Sequence, residues 1–84
     1  KLSMIERAEQ KLLDLGFRQV RVRIHGNIAR IEIDPSEFGK IVQPDTAEAL
    51  NKYLHELGFL YVTLDLGGYQ TGSMNKTLSD EEKA

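Results

Sequence analysis

The chain has 84 residues, no cysteine and a formal net charge of −2, which is the size of one small domain whose core is limited by burial of only about 60–65% of its unfolded surface. Disulfides, thiolate metal sites and a cysteine nucleophile are excluded within it, and the acidic balance leaves no overall basic footprint for nucleic acid. No apolar run reaches the length of a signal-peptide core or a membrane span, so a cytoplasmic protein is the expectation.

The chain opens at Lys1 rather than at methionine and runs almost at once into helical periodicity, as a domain taken from a longer protein would. Ser3 with Glu6 three residues on makes a capping box. Ile5, Ala8, Leu12 and Leu15 then recur at helical spacing until Gly16 stops the helix. The run "FRQVRVRI" alternates, with Val20, Val22 and Ile24 on one side and Arg21, Arg23 and His25 on the other. A turn at Gly26-Asn27 leads into "IARIEID", where Ala29, Ile31 and Ile33 oppose Arg30 and Glu32. Pro35 opens a short helical turn to about Val42. Asp45 or Thr46 is the expected cap of a second long helix, striped by Ala47, Leu50, Leu54 and Leu57 and ended by Gly58. The run "FLYVTLDL" reads as a third strand, buried, and "LGGYQTGSMN" follows as a glycine-rich exit. The expected fold class is α+β: a small α-β-β-α-β domain, a ferredoxin-like half-sandwich without its first strand, with a three-stranded sheet and helices on one face. Residues 1–66 would form this domain and residues 67–84 a tail.

The chain also repeats itself. "LGFRQVRVRIHG" from Leu15 and "LGFLYVTLDLGG" from Leu57 align without gaps, pairing Gly16 with Gly58, Phe17 with Phe59, Val20 with Val62 and Gly26 with Gly68. Two helix–Gly–strand units of related geometry are expected.

The hairpin register follows from the turn. A two-residue primed turn at Gly26-Asn27 suits residues that tolerate positive φ. It pairs Ile24 with Ala29, Val22 with Ile31 and Val20 with Ile33, apolar against apolar, whereas a three-residue turn mixes the faces. The same register sets Arg23 opposite Arg30 and Arg21 opposite Glu32. Opposed like charges cost about 0.2–1 kcal/mol per pair. Either an anion lies between the arginines, since the planar fork suits phosphate or carboxylate, or the face is simply solvated, with Glu32 or Asp65 neutralising it. Glu9, Glu32 and Asp65 are possible oxygen donors to a cation but lack a metal-binding spacing. No Walker lysine motif, HExxH, GxSxG or EF-hand loop is present, and no catalytic residue is assigned.

"RVRxH", "ARIE" and the closing "TLDLxGYxxGSMN", set in a match that runs from about Ile5 to Asn75, resemble the C-terminal region of LarE-type proteins, which are ATP-dependent sacrificial sulfur transferases of the PP-loop superfamily. Gln70 departs from the arginine expected at its position. The resemblance implies a parent enzyme whose N-terminal PP-loop domain binds ATP, with Mg2+, and adenylylates a carboxylate of a pyridinium dicarboxylate mononucleotide, a precursor of the nickel-pincer cofactor. Sulfur then comes from a cysteine or an iron–sulfur cluster. With no PP-loop motif and no cysteine, the chain is expected to be inactive alone and to need no cofactor itself. The resemblance further implies Arg21 and Arg23 as ligands of the substrate phosphate, and Glu9 and Glu32 as residues that orient those arginines or a divalent ion. As a family signature the closing segment should be ordered, with Tyr69 packed back on the domain and the stretch to Ser73 lining the same polar region or meeting the PP-loop domain. Partners would be that domain, a mononucleotide and further copies of the enzyme. Two other readings stand beside this one: an oligomerisation or regulatory module without a ligand site, and an RNA-binding module. The acidic charge and the scarcity of strand aromatics other than Tyr61 speak against the latter.

Overall fold

The computed structural model describes residues 3–69. Its elements in chain order are α1 (Met4–Asp14), β1 (Val20–His25), β2 (Ile28–Ile33), a 3₁₀ turn (Pro35–Glu37), α2 (Phe38–Ile41), α3 (Pro44–Leu57) and β3 (Tyr61–Leu64). This is the expected α+β order. The sheet runs β1-β2-β3, with β1 antiparallel and β3 parallel to β2. In a ferredoxin-like split βαβ unit another strand lies between the two parallel strands. Without it, β3 closes directly onto β2, setting Ala29 beside Val62 and Ile31 beside Leu64.

Each helix starts and stops for a local reason. Ser3 and Glu6 form the reciprocal capping box on α1. At the other end the Gly16 and Phe17 N–H groups donate to Leu13 and Leu12 carbonyls at 3.0 and 3.1 Å. Gly58 and Phe59 repeat the arrangement on α3, donating to His55 and Leu54 at 2.9 and 3.1 Å. These are two Schellman caps, and each throws its phenylalanine inward, where both are 2% exposed. The start of α3 differs from expectation. Pro44 occupies the first turn after Gln43, which makes no side-chain cap bond, and Asp45 and Thr46 lie inside the helix. Proline's preset φ and absent N–H suit that position, and Asp45 still favours the helix dipole. At the 3₁₀ turn the Ser36 N–H donates to Asp34, and this bond holds the Asp34 carboxyl below its ordinary pKa.

Ala8 and Leu12 of α1, Ile41 of α2, and Leu50 and Leu54 of α3 pack with Val22, Ala29, Ile31 and Ile33 on one face of the sheet. The hairpin has the expected register throughout. Only Gly26 of its two turn residues has positive φ, +59°, which is the sign pattern of a II′ turn rather than I′. The third strand is shorter than "FLYVTLDL" suggests and half-buried rather than buried. Phe59 is taken by the helix cap, and Leu66, 80% exposed, lies in a turn closed by Gly68 N–H to Asp65 carbonyl at 3.0 Å. Among the described residues no helix is long and apolar enough to cross a membrane.

Candidate functional site: the open face of the sheet

With all helices on one side, the other face of the sheet is left to polar side chains. Pairing places them in rows: Arg23, Arg30 and Thr63 in one, Arg21 and Glu32 in the next. Glu32 is the least exposed of the charged groups here, with 13% of its side chain accessible, and it needs a cation at close range. It has two: its Oε2 accepts a hydrogen bond from Arg30 Nη2 at 3.2 Å and lies 3.6 Å from Arg23 Nε. Asp65, just past β3, brings Oδ2 to 3.7 Å from Arg30 Nε. The opposition of Arg23 and Arg30 is thus relieved by carboxylates reaching in from a neighbouring row and a neighbouring strand. At such exposures each pair contributes about 0–1 kcal/mol of stability; their effect is on where the guanidinium groups point.

Arg21 is held differently. Although it faces Glu32 in register, it forms no ion pair with any described carboxylate. Its guanidinium instead lies 5.9 Å from the Tyr69 ring centre. Hydrogen bonding to Tyr69 above all, and the more distant Glu9 and Glu32 carboxylates, raise its pKa above the usual arginine value, so it stays a cation. Tyr69 reaches this place because the chain turns back after β3: its N–H donates to the Ile33 carbonyl at 2.7 Å. Gly68 makes the approach possible. At φ +79°, a Cβ there would sit 2.8 Å from Pro35 Cγ and 3.0 Å from the Ile33 carbonyl oxygen. Tyr69 itself is half-buried. Gln70 and Ser73 lie outside the described residues.

Along the exposed edge of β1, a groove of about 770 Å³ brings Glu9, Arg21, Arg23, His25 and Arg30 together. Glu9 faces it from α1, but its carboxylate is committed: Oε2 accepts from the Val22 N–H at 2.9 Å, tying the helix to the edge strand. Val22 faces Ile31 across a pair whose amides point away from each other, so this N–H would otherwise meet only solvent. Among the described residues no group of three or more His, Asp or Glu side chains is placed to hold a metal ion. With Glu9 on the backbone and Glu32 on two arginines, these residues do not fit a divalent-ion site by themselves. What the arrangement can do is bind an anion: it presents one arginine without a carboxylate partner among the described residues and a second that is only loosely paired. A second hollow, of about 580 Å³, lies at the β3 edge between α2 and α3. It is lined mainly by apolar residues such as Ile41, Val42, Leu50 and Val62, and it gathers no group of charges.

Of the residues singled out in the sequence, Glu9, Arg21, Arg23, Glu32 and Tyr69 lie together, and Arg30 and Asp65, expected as a facing arginine and a neutralising carboxylate, lie with them. The hairpin register already put Arg30 opposite Arg23. The place of Asp65 depended on β3 joining β2, which periodicity does not reveal.

An α+β domain with arginines on an uncovered sheet face defines the class of molecule, and comparison with known proteins narrows it. No family model matches. The chain is 43% identical over 83 residues to the pyridinium-3,5-bisthiocarboxylic acid mononucleotide synthase of Lactiplantibacillus plantarum, covering 99% of this chain and 29% of that protein. It is 47% identical over 79 residues to an uncharacterised protein of Synechocystis sp., covering 94% of the chain and 30% of that protein. The chain belongs with the LarE-type proteins, of which it matches one domain's length. It spans about three-tenths of these relatives.

Proposed function

We propose that this chain is the substrate-side, C-terminal domain of a LarE-type sulfur transferase, and that its open sheet face binds the phosphate of a mononucleotide. A relative that matches the whole chain is a mononucleotide synthase, which supports the substrate class. The observation that carries the reading is Arg21. It has no ion pair with a described residue, is steadied on Tyr69, and shares its edge with Arg23, whose only described carboxylate contact, at 3.6 Å, is long. Two guanidinium forks on one edge can bind a phosphate dianion through paired N–H donors. The activating chemistry would belong to a PP-loop domain elsewhere in the protein, which would take ATP and Mg2+ and adenylylate the substrate carboxylate, so that sulfur from a cysteine or an iron–sulfur cluster would displace AMP from it. This domain would contribute binding and orientation and no catalytic residue. A homo-oligomeric, cytoplasmic enzyme belongs to the same proposal.

The test is calorimetric titration of the full-length protein with nicotinic acid mononucleotide, a pyridinium carboxylate mononucleotide. Arg21→Ala with Arg23→Ala should weaken binding at least thirtyfold, or about 2 kcal/mol, and raised salt should weaken the wild type through screening. A change within about twofold, roughly 0.4 kcal/mol, removes the assignment.

A further inference from the structure

Three arginines stand on the open face, and only two take part in the proposed phosphate site. We propose that Arg30 is a positioning residue of that site: by taking the hydrogen bond of Glu32 it leaves Arg23 in no more than a 3.6 Å ion pair, so that the Arg23 guanidinium is left to bond the phosphate. The inference rests on the reading of Arg21 and Arg23 as phosphate ligands.

The geometry shows a competition for one oxygen. Glu32 Oε2 is 3.2 Å from Arg30 Nη2, with a hydrogen bond, and 3.6 Å from Arg23 Nε, without one. On its other side Asp65 Oδ2 lies 3.7 Å from Arg30 Nε, close enough to attract it but without a hydrogen bond, so Glu32 holds the one carboxylate bond that Arg30 makes among the described residues. The order across the three strands is Asp65, Arg30, Glu32, Arg23, with the sign of charge alternating. Arg30 thereby stands between two carboxylates, and Arg23 has only a longer contact to an oxygen whose hydrogen bond is already taken. Glu32 is too enclosed to stay unpaired. Without Arg30, the cations near it are Arg23 and, facing it in register, Arg21, the two arginines assigned to the phosphate, and a phosphate would then have to displace a carboxylate of the same molecule.

A double-mutant cycle on the full-length protein, titrated with nicotinic acid mononucleotide at fixed salt, tests this. Arg30→Gln should weaken binding about tenfold, which is 1.4 kcal/mol. Arg30→Gln combined with Glu32→Gln should return to within about threefold of Glu32→Gln alone. Arg30→Lys, which leaves a cation beside Glu32, should keep affinity within about threefold of wild type. Because an orphaned Glu32 could also weaken the fold until it is itself removed, urea midpoints are read beside the titrations: a binding loss that merely follows the midpoint, or that persists undiminished in the double variant, overturns the proposal, as does unchanged binding in Arg30→Gln. If Arg30→Gln does not fold, Asp65→Asn reads the same point by loosening Arg30. A two- to threefold weakening is then expected, and no change overturns the idea. Failure of the underlying reading looks different: Arg21→Ala with Arg23→Ala leaves binding intact. If that pair abolishes binding while the Arg30 and Glu32 losses simply add, the phosphate site stands and only this inference falls.

Discussion

The two halves of the repeat have the same local structure and different surroundings. Leu12 to Gly26 and Leu54 to Gly68 each run from a buried helical leucine through a Schellman cap and a buried phenylalanine into a strand and a positive-φ glycine. Yet β1 enters a hairpin and lies antiparallel to β2, while β3 arrives after a helix and lies parallel. The strands flank β2 from opposite sides, and their equivalent polar positions differ: Arg21 and Arg23 on one, Thr63 and Asp65 on the other. The edges differ as well. Glu9 in α1 satisfies the outward Val22 N–H, whereas its counterpart in α3 is Asn51, and no hydrogen bond joins Asn51 to Leu64. A common cap therefore sets how a helix hands its chain to the sheet. It does not set which charges line the strand or whether the edge is closed.

The likeness is tested hardest at its core. Phe17→Ala and Phe59→Ala should each cost about 3–5 kcal/mol, most of the stability of a domain this size, with urea midpoints falling together. Costs that differ by more than about 2 kcal/mol would show that one cap, not both, anchors the fold. The turns should part company. Gly26 has open space around a Cβ, so Gly26→Ala is expected to cost about 1–2 kcal/mol from its backbone alone. Gly68→Ala adds a clash with Pro35 and should cost about 2–4 kcal/mol. It should also shift the Tyr69 and Arg21 side-chain resonances. Equal losses with those resonances unmoved would mean the turn does not hold Tyr69 in place. The smallest effect is at the edges. Glu9→Ala should destabilise by about 1–2 kcal/mol and raise the hydrogen-exchange rate of the Val22 amide, because a charge-assisted bond is lost. Asn51→Ala, with no such bond to β3, should stay within about 0.5 kcal/mol.

Much of this was legible residue by residue. The capping box, both glycine stops, the hairpin pairing and the inward stripes all depend on contacts within a few positions, where side-chain period and turn chemistry dictate the outcome. The misplacements have local causes too: Pro44 outcompeted Asp45 and Thr46 for the start of α3, and the cap of α3 consumed the front of the expected third strand. The site was legible in its arginines, because the hairpin register alone sets Arg21 and Arg23 on the polar face.

By itself, then, the sequence determined the elements, their faces and one of the two strand pairings, since each follows from short-range periodicity and a two-residue turn. The tertiary structure decided that β3 closes onto β2, that of the expected neutralising carboxylates Asp65 meets Arg30, and that Tyr69, expected to pack back on the domain, does so beside Arg21. Those contacts join positions 33 to 48 residues apart. No local propensity encodes them; they form only when helices packed on one face bring β3 to the free edge of β2, where its unpaired backbone groups find partners.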